Sequence, residues 1–112
     1  MPVIEVKAVR AGQDVDVCGA LNRVCAEVAG QLGLAERDVW GQWETLESRP
    51  GGALQGASVV VTAMDRRAPE QIQNMLSAVA NVLATDLAIA QGDVLVSYSE
   101  PRSGRVFSGK PQ

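Results

Sequence analysis

SVVVTAM, residues 58–64, repeats in character a segment near the start of the chain, VIEVKAV at 3–9. Both are short, rich in β-branched residues and bounded by turn formers, the pattern of a β-strand. Reading on from each gives the same order of events. After VIEVKAV a turn around Gly12 leads to Asp14, the expected N-cap. Val17, Cys18, Leu21, Val24, Cys25, Val28 and Leu32 then recur at three- and four-residue steps. That spacing predicts an amphipathic helix with one apolar face. Gly33 stands where a helix commonly ends on glycine, and VWGQWETL, 39–46, reads as a second strand. After SVVVTAM, Pro69 suits a first helical turn. Ile72, Met75, Leu76, Val79, Val82, Leu83 and Leu87 form a second apolar stripe, Gly92 closes a loop, and VLVSYS, 94–99, is the fourth strand.

The two halves align without a gap at an offset of 55 residues. Val6 falls on Val61, Ala8 on Ala63, Leu21 on Leu76, Val24 on Val79, Ala29 on Ala84, Leu32 on Leu87, Asp38 on Asp93 and Val39 on Val94. Chance would give roughly two to three identities over about 40 positions at average residue usage. The chain therefore reads as one α+β domain, 1–112, made of a duplicated βαβ unit. The repeats are 2–46 and 57–101, the Gly- and Pro-rich ESRPGGALQG (47–56) links them, and 102–112 form a tail. Two such units predict a four-stranded sheet with both helices on one face. The other face then has no cover within the chain. Val59, Val60 and Val61 are apolar on both strand faces, which implies burial on both sides, so a closed oligomer is expected. GRVF, 104–107, is either an edge strand added to a neighbour or a frayed end.

Composition narrows the chemistry. Of 112 residues, 46% are hydrophobic and 21% charged, and the net charge is -3. That balance disfavours a nucleic-acid surface. No stretch approaches 18 apolar residues and the N-terminus lacks a secretory pattern, so neither a membrane nor export is expected. The chain has no histidine, which removes imidazole acid–base catalysis, Ser-His and Cys-His pairs, and most zinc sites. Cys18 and Cys25 lie two helical turns apart, roughly 10 Å, too far for a disulfide. They read as two small core residues on one helix face, in a reduced, cytoplasmic setting.

The chain opens Met1-Pro2-Val3-Ile4. A small second residue favours removal of the initiator Met, which would leave Pro2 as a free secondary amine at the end of a strand. Such an amine titrates near pH ~8 unperturbed, and burial lowers that value. A neutral amine is a usable general base that needs no histidine. The alternative is that Pro2 merely permits Met removal at an inert end.

Pro2 at the head of the first strand, the duplicated βαβ unit and the length together resemble the tautomerase superfamily. The resemblance covers roughly 2–107 and is nearest to the long-chain branches with two βαβ units. These include the 5-carboxymethyl-2-hydroxymuconate isomerase, macrophage migration inhibitory factor and malonate semialdehyde decarboxylase groups. It implies a homotrimer with the sheets wrapped into a central barrel and the active site at a subunit interface beside the proline. It implies keto–enol proton transfer by Pro2 on a small 2-hydroxy-dienoate or 2-oxo acid. Cationic groups would hold the carboxylate, and neither metal nor organic cofactor would be used.

Residue by residue, the resemblance is uneven. Pro2 matches. The arginine that short tautomerases carry after the first strand falls on Gly12, so Arg10 is a displaced candidate. Arg66 and Arg67, between the third strand and the second helix, lie where long-chain members place cations, and an arginine can meet a carboxylate bidentately. The lysine that cytokine-like members carry after the first helix is Leu34 here. Their Tyr–x–Asn pair is Leu95 and Ser97, and Tyr98 points to the other face of the strand from Ser97. Ser97 stays a candidate contact. Trp40 and Trp43, three apart, face opposite sides of the second strand. One lines a pocket near Pro2, with Trp40 the candidate, and the other packs in the core or an interface. Two further readings stand. One is a hydrolytic dehalogenase or decarboxylase with charged Pro2 as acid, for which Glu5, Glu44 and Glu100 are weak water-activating candidates. The other is a trimeric module without chemistry.

Overall fold

The alternation in the first strand sorts its side chains by face. Ile4, Val6 and Ala8 are buried, at 1%, 1% and 2% exposure, while Lys7 between them is exposed. The computed structural model from which this follows describes residues 2–9, 15–46, 57–65 and 72–99. In chain order the elements are β1 (Val3–Val9), α1 (Val17–Leu32), β2 (Trp40–Leu46), β3 (Val59–Met64), α2 (Ile72–Leu87) and β4 (Val94–Ser99). A short 3₁₀ turn precedes each second strand, at Glu36–Asp38 and Gln91–Asp93. Neither turn follows from the hydrophobic periodicity of the sequence.

The sheet order is β2-β1-β3-β4. β1 runs parallel to β2 and β3 parallel to β4, and the two units meet at the antiparallel β1–β3 pair in the centre. Val6 lies opposite Val61 there, and Ile4 opposite Ala63. Both helices cover this face. Val24 and Val28 of α1 and Val79 and Leu83 of α2 are fully buried in one core with Ile4, Val6, Val59 and Val61. Each such side chain contributes ~1.5–3 kcal/mol by leaving water. Trp43 and Tyr98, on the helix side of β2 and β4, pack against the edge of that core.

The helix ends show the duplication in detail. α1 ends on Gly33 at φ 69°, and α2 ends on Ala88 at φ 54°. Beyond these, Leu34 N–H donates to the Ala29 carbonyl at 2.9 Å and Ile89 N–H to the Ala84 carbonyl at 3.0 Å. Every one of these positions repeats at the offset of the sequence alignment.

Two expectations need correction. The N-cap of α1 is Asp16, whose carboxylate accepts from Gly19 N–H at 2.9 Å. The expected cap, Asp14, lies outside the described residues; with Val17 the first helical residue, only the side chain of position 16 reaches the third N–H. Cys18 is exposed and Cys25 buried, so they do not share the core. Cys18 stands in the first turn of α1, ahead of the first buried residue, Ala20, of the stripe that runs on through Val24, Cys25, Val28 and Ala29.

None of the described residues covers the second sheet face. The register arranges it in rows: Trp40, Val3 and Met64; then Gln42, Glu5, Thr62 and Ser97; then Glu44, Lys7, Val60 and Leu95. Trp40 is 59% exposed and Leu95 38%. Val60 is half-buried, so the described residues alone do not supply the second cover that its flanking valines implied. Pro69, the linker 47–56 and GRVF lie outside the described residues.

Candidate functional site

Pro2 sits at the head of a central strand and is buried. Its carbonyl accepts from Trp40 N–H at 3.0 Å, which carries the β1–β2 pairing one residue past Val3. Parallel register therefore puts Val39, 7% exposed, on one side of Pro2. On the other side, the β1–β3 register pairs Val3 with Met64, and its next step sets Pro2 against Asp65. Asp65 is half-buried, and its N–H donates to the Ser99 carbonyl at 3.3 Å, so it too remains in the frame of its strand. By alternation Pro2 and Asp65 share the helix face with Ile4 and Ala63.

The other sequence candidates divide by position. Trp40 is beside Pro2 in the backbone, with its indole on the open face next to Val3. Trp43 faces the core. Arg66 and Arg67 lie outside the described residues and follow Asp65 directly in the chain. Arg10 also lies outside them. Its predecessor Val9 ends β1 seven residues from Pro2, roughly 23 Å along a strand. Ser97 is exposed on the open face of β4, with β3 between it and β1. That is about two strand spacings, ~10 Å, from β1. Tyr98 does face away from it, toward the helices. Leu34, at the departure from the family's lysine, is 41% exposed. Glu5 and Glu44 lie on the open face, where they line a concavity of about 550 Å³ with Lys7 and Gln42. Glu100 is outside the described residues.

A second groove, of about 490 Å³, runs between α1, the first 3₁₀ turn and β2. Leu21, Asn22, Cys25, Glu36, Arg37, Val39 and Gly41 line it. Burial pushes the Cys25 thiol up, and the negative charge of Glu36 adds to the effect. The thiol is thus held protonated and is a poor nucleophile. Among the described residues no group of three His, Cys, Asp or Glu side chains is placed to hold a metal ion. No described helix is long and apolar enough to cross a membrane.

Sequence reasoning missed Asp65. Its place beside Pro2 depends on the register of a long-range antiparallel pair, and no local pattern encodes that.

Two βαβ units joined antiparallel, with four strands and both helices on one face, define the tautomerase/macrophage migration inhibitory factor fold. The macrophage migration inhibitory factor of Trichinella spiralis superposes with a TM-score of 0.72 at 17% identity, over 96% of each chain. A native fused 4-OT does so at 0.75 and 16% identity, over 96% of this chain and 92% of that one. Malonate semialdehyde decarboxylase gives 0.68 and 16%, over 98% and 92%. At such identities the likeness establishes the fold and leaves the chemistry to the residues. By sequence, no family model and no curated protein matches the chain.

Proposed function

We propose that this protein is a cofactor-independent tautomerase in which Pro2, as the free N-terminal amine, moves a proton between oxygen and carbon of a small 2-hydroxy-dienoate or 2-oxo acid. The observation that carries the reading is the setting of Pro2. It is buried at the head of a central strand and anchored through its carbonyl to Trp40. A secondary amine there is fixed in direction and partly desolvated. In its neutral form it takes the enol proton, and as the ammonium it returns that proton to the carbon, so that no net proton is consumed. Arg66 and Arg67 are the proposed carboxylate holders, because they follow the strand end that pairs with Pro2. Their fixed forks also suit the enolate charge. Arg10 and Ser97 would act only from a neighbouring copy.

A homotrimer is part of the proposal. The open face with Trp40, Val60 and Leu95 is the surface it would cover, and a structurally similar fused 4-OT is a symmetric trimer. A small-molecule carboxylate partner and a cytoplasmic setting go with the same reading; the two free cysteines suit the latter.

The test begins with the intact mass of untagged protein. A chain starting at Pro2 should ketonise 2-hydroxymuconate or phenylenolpyruvate, and Pro2→Ala should lower kcat by about 10²-fold or more. Arg66→Ala and Arg67→Ala should raise KM. Retention of Met1 in protein from its native source, or full turnover by Pro2→Ala, would refute the proline mechanism.

A further inference from the structure

Pro2 and Asp65 meet where the strand geometry allows the closest approach of side chains. Val9 N–H donates to the Ser58 carbonyl at 3.0 Å, which fixes the alternation of the β1–β3 ladder. Counting along it, Val3 and Met64 form a hydrogen-bonded pair and Pro2 and Asp65 the non-hydrogen-bonded pair beyond. In such pairs the Cα atoms stand ~4.5 Å apart, and facing side chains are nearest. Both outer bonds agree with this parity, since the Pro2 carbonyl turns to β2 and the Asp65 N–H turns to β4. The Pro2 nitrogen lies on the same edge as its carbonyl, so the Asp65 side chain faces the pyrrolidine ring and its charge acts on the amine through space.

We infer that Asp65 is a positioning residue whose carboxylate stabilises the charged form of the Pro2 amine and so sets the pH at which Pro2 changes from acid to base. This rests on the reading of Pro2 as a free terminal amine. Two effects compete at that nitrogen. Burial disfavours the ammonium, while an anion within about 4–6 Å favours it by roughly 1–3 pKa units. Asp65 is half-buried, so water and salt screen it less than a surface carboxylate.

The remaining charges at this end of the sheet are placed less directly. β2 brings the apolar Val39 alongside Pro2. Glu36, Arg37 and Asp38 are exposed on the turn before it. The helix ends above, the last turns of α1 and the first of α2, carry Glu27, which accepts from Gln31 Nε2 at 3.4 Å. Arg66 and Arg67 follow Asp65 outside the described residues, and their charges would act in the opposite sense. Among the described residues, Asp65 is the charged group that the strands set against Pro2. The consequence is chemical. With Asp65 dominant, Pro2 is an ammonium over more of the neutral range, suited to donating a proton, and its action as a base strengthens as pH rises.

The test titrates Pro2 itself, by NMR of isotope-labelled proline in a chain that begins at Pro2. Asp65→Asn should lower the titration midpoint of Pro2 by about one unit or more, and Asp65→Glu should stay near the unmutated protein. A folded Asp65→Asn protein whose Pro2 titrates at an unchanged or higher pH overturns the inference. A second readout needs no variant to fold. The Asp65 Cγ resonance of the unmutated protein should inflect at the pH where Pro2 loses its proton, and a flat trace there also overturns it. Neither readout uses turnover. An inactive protein with coupled titrations would sink the tautomerase reading alone, and an active one with uncoupled titrations would sink this inference alone.

Discussion

Gly41 faces two side chains of α1 at close range. A Cβ there would stand 2.6 Å from Cys25 Sγ and 2.9 Å from Leu21 Cδ1. Gly41→Ala must displace the Cys25 and Leu21 side chains, and the expected loss is about 1–3 kcal/mol, read from urea denaturation. The same crowding explains the Cys25 thiol, held protonated by burial first and by Glu36 second. The sign of its pH effect follows. The unfolded chain ionises this thiol near 9.0, before the folded one does. Its contribution to stability is therefore intact below that pH and is lost as pH rises past it. Urea midpoints at pH 7 and pH 10 should fall further for the unmutated protein than for Cys25→Ala. A parallel fall in both would show that the thiol is not coupled to folding.

At the scale of elements, the two helix ends make a controlled comparison. Gly33 and Ala88 occupy equivalent left-handed positions, at φ 69° and 54°. Alanine in that conformation costs roughly 1–2 kcal/mol, against about 0.4–1 kcal/mol for the extra freedom glycine has when unfolded. Ala88→Gly should therefore raise stability by roughly 0.5–1 kcal/mol, and Gly33→Ala should lower it by a similar amount. Thermal melts of both variants check the pair, and opposite signs are required. The Arg23–Asp86 ion pair that ties α1 to α2 is a weaker tie. Arg23 is 56% exposed, so Arg23→Gln should cost less than about 1 kcal/mol and less still in high salt.

For the whole molecule, the sheet face that the described residues leave open decides whether the chain works alone. It mixes Trp40, Val3, Met64, Val60 and Leu95 with Glu5, Lys7 and Glu44. A chain of 112 residues has limited core of its own, and burying this face would add to it. Light scattering should give a trimer mass for the unmutated protein and a smaller species for Val60→Lys. A monomeric unmutated protein at micromolar concentration would refute the closed assembly.

All four strands, both helices and the position of Pro2 at the head of β1 were legible in the chain, because periodicity and caps are local and the duplication let each half check the other. Gly33 marked one helix end for the same reason, whereas Ala88 marked nothing, since its conformation is imposed by the repeated architecture against its own preference. The cap went to Asp16 over Asp14, and Cys18 came out exposed, because both turn on where the helix starts: the first turn sets the cap and carries Cys18 ahead of the first buried residue, Ala20. What only the tertiary structure decided is pairing. Strand order, the separation of Ser97 from Pro2, and the facing of Pro2 and Asp65 all depend on how β1, β3 and β4 pair, and the last of these on the register between β1 and β3. That register is a property of two segments more than fifty residues apart, chosen by the packing of their shared apolar face.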